Sequence, residues 1–121
     1  MYKDGHHIIH NRMEWSLRPE AKLIRDTPSL IVRMDRSDHD EIHRYCPPVP
    51  LLGYHALIRT LQTFEQGETP LKTMDNLMYS IEIASKHPKA HEIEKQLANL
   101  AIWAIDLQRP FIAGVLQNER K

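Results

Sequence analysis

The sequence predicts an α+β fold, mostly helical overall, on three observations. Two short stretches rich in apolar and β-branched residues, "HHIIH" and "SLIVRM", read as strands and fall before residue 35. From Gly53 onward, apolar residues recur at spacings of three and four, the period of an amphipathic helix. Between them lies "CPPVPLLG", Cys46 to Gly53, whose prolines cannot sit inside a helix or a central strand. At 121 residues, 41% hydrophobic and 26% charged, the chain has the size and composition of one domain that buries a core without staples.

The elements follow in order. "HHIIH" is the first strand. "NRMEWSLRPEAKLIRD", Asn11 to Asp26, has weak periodicity and predicts a loop carrying one or two helical turns. "SLIVRM", Ser29 to Met34, is the second strand, led in by Thr27-Pro28. "DRSDHDEIHRY" then opens a helix: Asp35 or Ser37 can cap it, acids occupy its first turn, and Arg44 lies near its end. Residues 1–45 thus form a ββα unit, 46–53 a stiff extended connector, and 54–121 a three-helix segment, packed as one compact domain.

Each of the three helices has its own signature. The first places Tyr54, Leu57, Ile58, Leu61 and Phe64 on one face and ends at Gly67. The second has Thr69 as cap and Pro70 at the first helical position, followed by Leu71, Met74, Leu77, Met78, Ile81 and Ala84. The third carries Ile93, Leu97, Leu100, Ala101, Ala104 and Leu107 on one stripe, and Pro110 closes it. Ile102, Trp103 and Ile105 widen its apolar surface. That helix is expected to be central, or to meet a protein partner or a second copy of the chain.

Charge narrows the function classes. Net charge is zero, with eight Lys/Arg and eight Asp/Glu in residues 1–45 and the same numbers in residues 46–121. A nucleic-acid role therefore needs a local patch, a bound cation or protonated histidine. The single cysteine, Cys46, forms no internal bridge and favours a reducing compartment. No apolar run approaches the roughly 18 residues of a membrane span, and "MYKDGHH" lacks the layout of a signal peptide. The expectation is a cytoplasmic protein with no membrane association.

The histidines carry the chemistry. Five of the eight fall in the first 43 residues. His39 and His43 are four apart, so a helix points them the same way, a common half-site for a divalent metal. Such a pair needs at least one more ligand, and a hydrolytic site also needs a base. Adjacent residues of a strand face opposite ways. One of His6 and His7 can therefore bind metal while the other faces a substrate.

"HHIIH" followed by "SLIVRMDRSDHDEIHR" resembles the ββα-metal nucleases, the HNH and endonuclease VII superfamily. The likeness covers residues 4–45. It is closest to the branch whose first strand reads His-His-(apolar)-(apolar)-Pro and whose helix carries His-x-x-x-His. The resemblance implies a two-strand hairpin packed on one helix, with one divalent cation (Zn²⁺, Mg²⁺, Mn²⁺ or Ni²⁺) between them. His6, His39 and His43 would be its ligands, and His7 the general base in hydrolysis of DNA phosphodiester bonds. A neutral imidazole can take a proton from water near neutral pH. The family proline is His10 here, and the region of the family's central asparagine holds Ser29 and Leu30, of which Ser29 is a partial substitute. His10, Ser29 and Asp40 are supporting candidates, and Arg12, Arg18, Lys22 and Arg25 are candidates for holding phosphates.

Three other readings stand beside it. "HDEIH" resembles the zinc-protease motif, but Asp40 occupies the glutamate position and Glu41 comes one step late. His39-Asp40 resembles the HD phosphohydrolases, with Asp75 or Asp106 as the late ligand, on an all-helical scaffold. The last is a non-catalytic metal-stapled binding module, of a size suited to a phage or mobile element, whose helical half takes a protein or DNA partner. "HPKAH", His87 to His91, reads as a helix start, because Pro88 breaks the register of its two histidines.

Overall fold

The computed structural model describes residues 3–9, 19–50, 52–65 and 67–119. It is an α+β protein, with a two-stranded antiparallel sheet and, among the described residues, six α-helices. Strand β1 (Lys3–His7) pairs with β2 (Ile31–Asp35) so that Lys3 lies opposite Asp35, His6 opposite Val32 and His7 opposite Ile31.

Both strands are displaced from the sequence expectation. β1 starts three residues earlier and stops before Ile8 and Ile9, which lie at a bend and are both buried. An alternating strand cannot turn two consecutive residues inward, so the chain bends to bury the pair. The Ile8 N–H still reaches the Leu30 carbonyl at 2.9 Å, holding the bend against the second strand. Ser29 and Leu30 belong to a 3-10 turn (Pro28–Leu30) started by proline, which shortens β2 at its front. Helix α1 (Pro19–Arg25) lies in the stretch predicted as loop with helical turns and buries Ala21 and Ile24. Residues 10–18, with His10 of the predicted strand, lie outside the described residues.

Helix α2 (Arg36–Tyr45) follows β2 with no loop. Asp35 takes the cap position without a side-chain capping bond, and Ile42 is the one residue α2 buries. Asp38 in its first turn and Arg44 in its last complement the helix dipole. The connector is not a free spacer: Cys46, Val49, Leu52 and Gly53 are all buried. A Cβ on Gly53 would stand 2.6 Å from the Glu94 Cβ and 2.9 Å from its Cα. The chain can approach α5 this closely only without a side chain there.

Four helices follow rather than three: α3 (Tyr54–Thr63), α4 (Pro70–Ser85), α5 (Glu92–Leu107) and α6 (Arg109–Glu119). Thr69 caps α4 by accepting the Lys72 N–H at 3.3 Å, and Pro70 takes the first helical position. α3 ends at Thr63, before Gly67. Pro110 has no N–H for the Asp106 carbonyl, so the α5 ladder stops. A proline fits the first turn of a new helix, however, and α6 starts at once. Arg109, pairing with Asp75 of α4 and Asp106 of α5, fastens that start.

The stripe predicted for α5 is also corrected. Its buried face is Ala98, Ala101, Ala104 and Ile105, whereas Ile93 and Leu100 are 70% and 49% exposed. Tyr54 of α3 is likewise exposed, and that helix buries Ala56, Leu57 and Thr60. Alanines supply three of these four buried positions, and Ile93 and Leu100 are left outside. One hydrophobic cluster runs through the whole described fold, from Ile8, Ile24, Met34 and Ile42 to Met74, Ile81, Ile105 and Ile112. Among the described residues, no helix is long and apolar enough to cross a membrane.

Candidate metal centre

The period of β1 decides which side chains face the core. Asp4 and His6 lie on one face, the face of Val32 and Met34 across the ladder, and His7 lies on the other. α2 packs against this hairpin, held by Ile42, and its four-residue spacing directs His39 and His43 toward His6. The three rings meet edge to face, with centroids 5.3 Å (His6–His39), 5.4 Å (His6–His43) and 4.5 Å (His39–His43) apart. One ligand atom from each lies within 4.8 Å of the others, the single group of this kind among the described residues that could hold a metal ion.

Hydrogen bonds assign the tautomers of two rings. Gln108, at the junction of α5 and α6, donates from Nε2 to the Ile8 carbonyl at 2.8 Å and to the Ala104 carbonyl at 3.4 Å. Its Oε1 is therefore the acceptor, and the Nε2–H of His6 donates to it at 2.6 Å. The lone pair of His6 is then on Nδ1, which is buried and has no hydrogen-bond partner among the described residues. On α2, Asp4 Oδ2 accepts from His39 Nδ1 at 3.2 Å, leaving the lone pair on Nε2, 2.8 Å from His43 Nε2.

This arrangement fits a divalent cation. An imidazole held from behind by a carboxylate or an amide oxygen presents its other nitrogen to a metal in a fixed orientation. The orphaned Nδ1 of His6 is costly to bury unless something accepts its lone pair. Burial, chiefly, lowers the His6 pKa from 6.5 to about 4; the bond to Gln108 opposes that shift, while His39, His43 and His7 add to it. His6 is thus neutral at pH 7, the form a ligand needs. Three nitrogen donors suit Zn²⁺ or Ni²⁺ better than Mg²⁺, which prefers oxygen.

The other candidates divide. His7 is half-buried outside the three-ring cluster, with Nε2 3.9 Å from Asp26 Oδ1, too far for a hydrogen bond. It nonetheless lines, with His6, His43, Cys46, Pro47 and Gln108, a small cleft of about 10 Å³, room for roughly one water. The Cys46 thiol bonds weakly to the Leu107 carbonyl at 3.5 Å, and burial pushes its pKa up, so it stays a thiol. Ser29 accepts from Thr73 Oγ1 at 2.8 Å and is thereby tied to α4 rather than to His7. Asp40 and Lys22 are exposed, and Arg25 donates to Asp26 at 3.1 Å. His10, Arg12 and Arg18 lie outside the described residues. Glu41 is exposed on α2, and Asp75 and Asp106 are engaged by Arg109, so neither alternative ligand set joins the histidines.

Two residues that hold these rings are not foreseen in the sequence analysis. Asp4 had a signal, since it stands two before His6 and so shares its strand face. Gln108 had none: it lies 102 positions from His6. Compared with known proteins, the chain matches no family model, no curated protein and no solved structure.

Proposed function

We propose that this protein is a metal-dependent phosphodiesterase that cuts DNA. His6, His39 and His43 hold one divalent cation, and His7 is the general base. The observation that carries the proposal is the convergence of three imidazoles in which Gln108 and Asp4 fix the tautomers of His6 and His39. When bound, the cation supplies positive charge for the phosphate and for the leaving oxygen. His7, beside the same cleft, takes a proton from the attacking water. The water oxygen bonds to phosphorus as the in-line P–O bond breaks, and the leaving oxygen is protonated from solvent. Lys22 and Arg25 on α1, with Arg36 and Arg44 on α2, are the cations on the flanking helices that would meet phosphates, which the neutral chain as a whole does not attract. A cytoplasmic setting goes with this reading, because the single cysteine remains a buried thiol.

The test compares wild type with His7→Ala. Metal per chain is measured, then both proteins are incubated with supercoiled and single-stranded DNA in Mg²⁺, Mn²⁺, Ni²⁺ and Zn²⁺. Nicking by wild type alone, at equal metal content, is the expected result. Cutting by His7→Ala at the wild-type rate removes the base assignment. A stoichiometric metal that raises Tm without cleavage in any cation supports a second reading, the metal-stapled binding module. That reading is favoured by the exposure of Trp103 (54%) on the same face of α5 as Ile93 and Leu100.

A further inference from the structure

A second cavity lies far from the histidine triad. It measures about 380 Å³ and opens between α3 and the end of α4, within the range of small-molecule sites. Glu94, beside it, and Gln108, at the triad, are fourteen positions apart on the same helix run, roughly 21 Å at the rise of an α-helix. The two places are therefore separate sites.

The polar groups of this cavity are defined. The His55 Nδ1–H donates to Glu94 Oε2 at 2.6 Å, so its Nε2 is the acceptor left over. The Lys89 N–H donates to His87 Nδ1 at 3.1 Å, so the proton of that ring is on Nε2. The two imidazoles stack at 5.0 Å with planes 22° apart, and the Tyr54 ring stands edge-on to His55 at 5.7 Å. Arg59, one turn after His55 on α3, lines the cavity, and its guanidinium has no ion pair or hydrogen bond among the described residues. Ile83 gives an apolar wall opposite.

We infer that this cavity binds a planar heteroaromatic ring carrying an anionic group, the chemistry of a nucleotide. Tyr54 offers a flat surface for the ring. One acceptor (His55 Nε2) and one donor (His87 Nε2–H) match the mixed edge of a base. The forked donors of Arg59 match a phosphate. The inference does not depend on the triad holding a metal or on cleavage.

The experiment uses the full chain with metal chelated by EDTA, so that phosphate cannot bind at the triad. AMP, adenosine and inorganic phosphate are titrated while the ring signals of the histidines are followed by NMR. AMP at about 1 mM is expected to move the His55 and His87 signals, with adenosine and phosphate each at least about tenfold weaker. Arg59→Gln is expected to weaken AMP about tenfold, while Lys72→Gln, exposed at the far end of α4, leaves it unchanged. Competition by a short oligonucleotide assigns a strand-borne nucleotide and its absence a free one, and both sustain the site. No shift with AMP, shifts confined to His6, His39 and His43, or phosphate binding as well as AMP would each overturn the inference.

Discussion

Helix α5 presents a histidine partner near each end, and both bonds measure 2.6 Å: Gln108, its C-cap, to His6 at one end, Glu94 to His55 at the other. At the Gln108 end the ring is 3% exposed, its partner is a neutral amide, and its second nitrogen has no hydrogen-bond partner among the described residues. At the Glu94 end the ring is partly open to solvent, its partner is a carboxylate, and the ring stacks on His87 at the edge of a cavity. Burial separates the two. The buried His6, with an amide behind it, stays neutral and keeps a second nitrogen for a cation, while the more open His55, held by Glu94, faces the cavity. The bond to His55 is the largest cause holding the Glu94 carboxyl below its usual range.

Five experiments sharpen or break this contrast, taken from the largest effect to the smallest. Metal should raise Tm strongly in wild type and not in His39→Ala or His43→Ala; at a thousandfold excess over Kd the stabilisation is about 4 kcal/mol. Thermal melts with and without chelator read this, and equal metal responses in all three proteins would dissolve the triad. Acid should act next. Below pH 6.5 the unfolded chain protonates His6 while the folded one does not until about pH 4. Stability is thus full above that window and falls by roughly 3 kcal/mol across it. Urea unfolding of metal-free protein at several pH values checks it, and a flat profile between those limits contradicts the burial argument.

Gln108→Leu strips the Ile8 carbonyl and the His6 Nε2–H of their partner, with an expected loss of about 2 kcal/mol. Metal affinity should fall about tenfold or more as the His6 ring is freed. Asp4→Asn, at the more exposed outer bond to His39, should lower metal affinity by about tenfold at most, with little change in chelated stability. Isothermal titration separates these two, and a larger effect for Asp4 than for Gln108 would reverse their assigned weights. Glu94→Gln should cost about 1 kcal/mol or less, since its pair meets solvent. The sign is that of a depressed carboxyl: the contribution is present above pH 4.5 and lost as acid lowers the pH through the folded value. Its window thus opens at lower pH than that of His6, at 4.5 against 6.5.

Much of the front unit was legible because its signals are local. The spacing of His39 and His43 requires only that α2 be a helix, and the alternation of Asp4, Gly5, His6 and His7 only that β1 be a strand. The α+β class follows from the same periodicities, as do the Thr69 cap and Pro70. Two expectations failed, one for a local reason and one for a tertiary one. Pro110 is read as a stop from one side and as a start from the other, and the sequence beyond it was left without its helix. The inward face of α5 is chosen by what lies across from it, so a wide apolar band around Trp103 could not reveal that alanines would be buried.

The sequence by itself determined which histidines share a helix face and which strand neighbours face apart, because backbone geometry fixes the direction of each side chain. Only the tertiary structure decided that His6 meets His39 and His43, that Gln108 comes from the other end of the chain to hold His6, and that Ile8 and Ile9 turn inward together. Those contacts join residues far apart in sequence, and they form only when the packing of one shared core brings β1, α2 and the α5–α6 junction to the same place.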